Sequence, residues 1–263
     1  MKVFGRLVQI SFRQQLTYRT AMLAGLATNL FFGMLRVAVM VALYNGQKSV
    51  NGLSMEGAIT FAGLTQAMIM FLMLFGYTEI ILSVTTGAVA GDLLRPIDYF
   101  VLWLGKDLGR ALVNLLVRGI FFFALFALFF HIILPQGFIQ WLAFGLSLVL
   151  SYLLSFSWRF LVNLASFWTP DAIGISRILF LLTQFLSGFL FPLQLLPDWF
   201  SAMCKMTPFP SIVNTPVGIF LGTIQGGSIG LELLRQAIWL GGLVLAGQLI
   251  YRAGIRKLVV QGG

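Results

Sequence analysis

The residues of this chain that could do chemistry are few and far apart. Gly105 and Lys106 are adjacent, as in a phosphate-binding loop, but Asp107 stands where Ser or Thr would hold the metal ion, and no glycine lies five residues before Gly105. His131 is the single histidine and Cys204 the single cysteine, which excludes an HExxH zinc site, an internal disulfide and a cysteine metal cluster. No GxSxG elbow occurs and no pair of aspartates shares an apolar run. An enzyme site needs several convergent polar groups. The expectation is a chain without catalysis, metal or cofactor of its own. Three charged residues remain to be explained, because Arg36, Glu79 and Arg118 each stand inside a long hydrophobic run.

Those runs set the class of the protein. With 263 residues, 59% of them hydrophobic and only 10% charged, and a mean hydropathy of +0.95, the chain is too apolar for a soluble domain. It reads as one all-α transmembrane domain over residues 1–263. A bilayer core of about 30 Å needs about 20 helical residues, and six runs qualify: about 20–44, 57–84, 108–134, 138–165, 172–191 and 231–251. The net charge of +9 could suggest nucleic acid, but the cations flank the apolar runs, as anionic headgroups favour, so no nucleic-acid partner is expected. The N-terminus lacks the short apolar core and cleavage site of a signal peptide. Over residues 1–19, Val3, Phe4, Leu7, Val8 and Ile10 take one side of a helical wheel, opposite Lys2, Arg6, Gln9 and Arg13, which predicts an amphipathic helix in the cytoplasmic headgroup plane. With both termini cytoplasmic, the inside segments collect Lys2, Arg6, Arg13, Arg19, Arg95, Lys106, Arg110, Arg159, Arg177, Arg252, Arg256 and Lys257. The outside segments collect only Lys48, Lys205 and Arg235, so the positive-inside bias selects this orientation in the plasma (inner) membrane.

Within the spans, an ionisable side chain is a functional hypothesis by default. Arg36 stands two or three turns from the outer interface, and the expectation is that it snorkels outward. Glu79 and Arg118 lie at matched depths on the second and third spans, which suggests an ion pair that either fixes helix register or touches a substrate. Ala21, Gly25, Asn29 and Gly33 recur every fourth residue of the first span, making a smooth face for packing within the subunit or for dimerisation. Residues 45–56 read as a short polar loop. Pro170 fits the first turn of the fifth span. Residues 192–216 hold five of the eight prolines yet stay apolar. They cannot form one straight helix, and short broken helices re-entering the outer leaflet over about 191–226 satisfy both constraints.

The longest polar interruption in the first half is residues 83–110, SVTTGAVAGDLLRPIDYFVLWLGKDLGR. Gly87, Gly91, Asp92, Leu93, Leu94, Arg95, Pro96 and Asp98 lie between two apolar runs, so this stretch must meet water. Pro96 disfavours helical geometry at Arg95 and can open a helix itself. The reading is a short amphipathic helix, a break and a restart, centred on a segment at 85–98.

The cationic start, six spans, the G-x-x-x-G-D-L-L-R-P-I turn from Gly87 to Ile97 and the S-G-F-L-F-P…L-P-D-W run from Ser187 to Trp199 resemble the membrane subunits of type-2 ABC exporters over essentially the whole chain. The resemblance implies a dimer of two such permeases, identical or homologous, each docked on a separate ATPase subunit that binds ATP and Mg. It implies that Gly87, Gly91, Asp92, Leu93, Leu94, Arg95 and Pro96 form the coupling helix in a cleft of the ATPase. It also implies that the outer segment bearing Gly188, Pro192, Pro197 and Trp199 closes the pathway. The competing readings are a secondary transporter, for which Glu79 is the one acid deep in a span, and a noncatalytic membrane scaffold.

Overall fold

The structure, a computed structural model, describes residues 2–169 and 171–257. The expectation for Pro170 falls outside the described residues. Helix α1 (Lys2–Thr17) precedes α2 (Arg19–Tyr44), which is the first span as expected. The polar loop is instead a two-stranded hairpin, β1 (Ser49–Val50) and β2 (Leu53–Ser54). Asn51 and Gly52 both adopt positive φ there, the requirement of a tight two-residue turn. Ser54 then caps α3 (Met55–Met68) by accepting from the Gly57 amide at 3.0 Å.

The second span is not the continuous helix expected over 57–84. After α3 the chain turns through residues 69–78, with Met73 and Gly76 at positive φ, before α4 (Glu79–Thr85) and α5 (Val89–Leu93). The Phe180 ring fills the space a Gly76 side chain would need. The third span begins earlier than expected. Asp98 accepts from the Val101 amide at 3.1 Å, so α6 (Tyr99–Val113) starts beyond Pro96 rather than at it. It continues through a π-helical stretch, Asn114–Gly119, into α7 (Ile120–Phe129). A Cβ on Gly119 would come within 2.8 Å of the Ala67 carbonyl oxygen, so the wide turn and the glycine together admit the backbone of α3.

The remaining helices are α8 (Phe138–Asn163), α9 (Ala172–Leu186), α10 (Asp198–Lys205), α11 (Asn214–Leu221) and α12 (Gly227–Gly254). Single 3₁₀ turns follow α8 at Leu164–Phe167 and flank α10 at Leu193–Leu195 and Phe209–Ser211. Helix α9 stops short of residue 191 because Gly188, at φ +75°, provides the left-handed residue that ends a helix. Among the described residues four helices are long and apolar enough to cross a membrane, Thr20–Tyr44, Tyr99–Phe129, Phe138–Phe167 and Gly227–Gly254, while the apolar α9 is shorter. The chain is a nearly all-α, multi-pass membrane protein.

Helix α1 packs along α6. Phe4 and Leu7 cover Gly105, and the backbone of Val8 and Phe12 closes on Gly109, a small-xxx-small approach. Its apolar face is therefore divided: Phe4, Leu7 and Val8 turn toward α6, while Val3 and Ile10 face outward.

Helix α8 is the centre of the bundle. Ser147, Ser151, Ser155, Arg159 and Asn163 recur every fourth residue along it, and all five are buried. Ser155 Oγ donates to the Leu72 carbonyl at 2.5 Å and Asn163 Nδ2 to the Tyr77 carbonyl at 2.7 Å, so α8 satisfies the backbone freed where the second span breaks. Ser151 Oγ reaches the Ser211 carbonyl at 3.1 Å, and Gln236 Nε2 of α12 joins it at 2.8 Å. Gln140 Nε2 donates to the Ile219 and Phe220 carbonyls at the end of α11, at 2.7 and 3.1 Å. Arg159 forms a two-pronged pair with Asp107 at 2.8 and 2.9 Å, and the Tyr152 hydroxyl donates to the same carboxylate at 2.9 Å. Arg159 is thus a core residue and not a free inside charge.

Replacing Asp107 or Arg159 alone with an apolar residue should destabilise the subunit by about 3–5 kcal/mol, because it strands a buried charge. Asp107→Leu together with Arg159→Met should cost far less, and unfolding of the four proteins in detergent completes the cycle; additive losses would show that the two do not act as a pair. In the outer segment, Cys204 is fully buried and burial raises its thiol pKa, whereas Trp199 is 71% exposed. A maleimide at neutral pH should modify Trp199→Cys rapidly and leave Cys204 unmodified until the protein unfolds.

Candidate functional site

Two places gather the residues singled out from the sequence, one at the turn near 87–97 and one inside the helices. At the turn, Gly87 takes φ +75° and lets the chain reverse between α4 and α5. Asp92 is buried. Ser83 Oγ donates to it at 3.4 Å, Lys106 Nζ on α6 lies at 3.3 Å and Arg95 Nε at 3.8 Å. The Lys106 ammonium also stands 3.9 Å from the centre of the Trp103 ring. Asp92 therefore binds the turn to its own chain rather than presenting a carboxylate outward. The two leucines also part company. Leu93 packs against the inner aromatic cluster around Val89, Tyr99 and Trp103, while Leu94 is 86% exposed at the tip, beside the exposed Gly91, Arg95 and Pro96.

The intramembrane charges are arranged differently from the sequence expectation. Glu79 pairs with Arg110 at 2.8 Å and not with Arg118. Arg110 Nη2 also donates to the Tyr77 hydroxyl at 2.9 Å, lies over the Tyr77 ring at 4.4 Å, and the hydroxyl bonds Glu79. The reason is the break in the second span, which moves Glu79 to the first turn of α4, beside α6. Arg118 instead lies on the π-helical stretch with its guanidinium against Gly25 of α2, in space that any larger residue there would occupy. Gly33 of the same ladder receives the Phe122 ring. Gly25 and Gly33 of this face are thus used for packing within the subunit, whereas Ala21 is exposed and Asn29 faces an open cavity.

Arg36 does not snorkel. Its Nη1 donates to Thr65 Oγ1 at 2.9 Å, and its Nη2 donates to the carbonyls of Leu190, at 2.9 Å, and Phe189. The guanidinium lies 4.6 Å from the Phe189 ring centre. Those carbonyls lie in the irregular stretch just beyond α9 and accept no backbone hydrogen bond among the described residues, and an arginine with five fixed donors is well suited to take them up. Gly188 and Phe189 are buried in this junction, and Pro192 begins the 3₁₀ turn that leads through Pro197 to α10 and the exposed Trp199. The hairpin joins the same region through Asn51 Nδ2, which donates to the Gln194 carbonyl at 3.1 Å.

Arg36 borders a half-open cavity of about 340 Å³ between α2, the end of α3 and the end of α9, with Asn29, Gln66 and Gln184 on its wall. Sequence reasoning missed this cavity, the Asp107–Arg159 pair and the hairpin. The Asn51-Gly52 dipeptide was a readable hairpin signal, and the four-residue recurrence from Ser147 to Asn163 was a readable polar face. Nothing local indicated the cavity, since its residues come from three distant parts of the chain.

Among curated proteins and among solved structures, no match to the chain is found. The family model of ABC-2 family transporter protein matches residues 30–262, which is most of the sequence. The match spans the turn near 87–97, the break at 69–78, helix α8 and the proline-rich segment at 192–216. The chain therefore belongs to the ABC-2 transporter family and is a membrane-spanning permease of an ABC transporter.

Proposed function

We propose that the chain is one of two permease subunits that move a substrate outward between them when separate ATPase subunits bind and hydrolyse ATP with Mg. In this reading the chain crosses the membrane six times. Helix α3 with α4, and α9 with the residues after it, complete the four long spans. Both termini and the turn near 87–97 face the cytoplasm of the plasma (inner) membrane, in line with the charge asymmetry. Helix α1 lies in the inner headgroup layer with Val3 and Ile10 toward lipid. The short helices from Pro192 to Leu221 re-enter the outer leaflet and close the pathway, with Gly188, Pro192, Pro197 and Trp199 shaping that closure.

The observation that carries the reading is Leu94. A leucine 86% exposed, on a turn whose neighbouring Asp92 is locked to Lys106 and Ser83, is an apolar anchor on a rigid support. A cleft on the ATPase would bury it, while Arg95 at the rim orients the contact. Glu79 and Asp107 are each paired with an arginine, so neither is the free acid on which ion coupling would depend.

Leu94→Asp should weaken assembly with the ATPase by about 2 kcal/mol or more, the scale of an interface anchor. Arg95→Ala should leave assembly intact and lower transport per ATP hydrolysed. Pro96→Ala should loosen the turn without removing a contact, so that complex recovery is kept and coupling falls. Complex recovery, ATPase activity and transport, measured for the three variants in the same membranes, decide it. Wild-type values of all three quantities for Leu94→Asp would refute the docking role.

A further inference from the structure

The cavity beside Arg36 combines an apolar wall with polar groups that the protein itself leaves without partners. Phe32, Phe75 and Phe191 supply much of the wall. Asn29, Gln66 and Gln184 line it while only 9%, 4% and 8% exposed, and among the described residues their side-chain amides make no hydrogen bond. Their amide atoms are open to the cavity, and each amide offers two donors and an acceptor to anything that enters. Arg36 has five N–H donors, of which three are engaged by Thr65, Phe189 and Leu190, leaving two.

Its charge is also unbalanced. Among the described residues no ion pair includes Arg36, and the chain has eight carboxylates. Five are in use, as Glu79, Asp92, Asp107 and Glu232 meet arginine or lysine and Asp98 caps α6. The other three, Glu56, Asp171 and Asp198, lie at the starts of α3, α9 and α10. Glu56 is ten residues from Gln66 along α3, or about 15 Å, and Asp171 is farther from Gln184 along α9. A second copy of the chain would bring the same acids at the same helix ends. A half-buried cation without a carboxylate, beside three amides open to the cavity and a phenylalanine wall, calls for an anion carried on an apolar body.

We propose that this cavity binds an anionic amphiphile. Its carboxylate, sulfate or phosphate head meets Arg36 and the amides of Asn29, Gln66 and Gln184, and its alkyl or aryl body lies against Phe32, Phe75 and Phe191. The proposal rests on the permease reading only in making this ligand the cargo. The same head could belong to a single-chain amphiphile or to an anionic membrane phospholipid.

The test uses the full chain in nanodiscs of zwitterionic phosphatidylcholine, with three photoreactive probes: a diazirine-bearing fatty acid, the corresponding neutral alcohol and a diazirine-bearing phosphatidylglycerol. The fatty acid should label peptides containing the cavity residues about tenfold more than the alcohol does, the scale of one charge-assisted hydrogen bond. Arg36→Gln should erase that preference and Arg36→Lys should keep part of it. Gln184→Leu, which leaves the Arg36 contacts in place, should lower labelling by the acid severalfold, and it decides the matter if Arg36→Gln does not fold. Labelling by phosphatidylglycerol as well would identify a membrane lipid as the source, and labelling by the fatty acid alone a single-chain amphiphile. Equal labelling by acid and alcohol, or acid labelling indifferent to Arg36→Gln, overturns the proposal; a carboxylate contributed by a second subunit would give the latter result. ATP-stimulated release of the bound probe in the ATPase complex tests the permease reading separately. Labelling without such release would show that this ligand is not the cargo and leave the site standing.

Discussion

A backbone carbonyl that leaves its helix inside a bilayer has no water to turn to, and this constraint governs the whole molecule. The second span breaks at residues 69–78, α9 ends at Gly188, and the outer segment is a series of short turns. Each would be unstable alone. Helix α8 resolves most of them with one polar face: Ser151 bonds the outer turn at Ser211, Ser155 bonds Leu72, and Asn163 bonds Tyr77. From Ser147 to Asn163 the face runs about 24 Å, most of the hydrocarbon thickness, and each step of four residues rotates it by about 40°. That rotation is why its outer end reaches the proline-rich segment and its inner end reaches α6 and α4. Arg36 does the same service for Phe189 and Leu190 from α2.

The frame also ties the two ends of the permease together. Asp92 on the turn near 87–97 is paired with Lys106 of α6, the next residue Asp107 is paired with Arg159 of α8, and Ser151 of α8 holds Ser211 in the proline-rich segment. Charged pairs and short hydrogen bonds connect the proposed docking turn to the proposed outer closure, with few flexible side chains between them. The break at residues 69–78 interrupts the helix between α3 and α4. There the Leu72 and Tyr77 carbonyls are held by the Ser155 hydroxyl and the Asn163 amide rather than by a continuous ladder.

How much of this was legible in the sequence depended on the range of the signal. The first, fourth and last long helices, the polar turn after the second span and the irregular outer segment all follow from hydropathy, proline and glycine, which act locally. The break at 69–78 was hidden because IMFLMLFG is as apolar as any helix, and hydropathy reports the solvent rather than the backbone path. The partner of Glu79 was hidden for the same reason. Matched depth chose Arg118, but the break turned Glu79 toward Arg110. Arg36 was judged by its distance to the interface, when the deciding fact was a pair of freed carbonyls more than 150 residues away. The family resemblance, by contrast, rested on the turn and the outer run as whole motifs and did not need these contacts.

The proposed coupling role requires that the exposed tip of the turn near 87–97 meet a nucleotide-hydrolysing chain. The most direct measurement places a photoreactive amino acid at position 94 and crosslinks it in native membranes, with the adduct identified by mass spectrometry. One dominant protein adduct is expected, in a chain that carries a phosphate-binding loop, with a yield that changes when ATP is added. Adducts to lipid alone, or the same yield from a control position on the lipid face of α12, would contradict it.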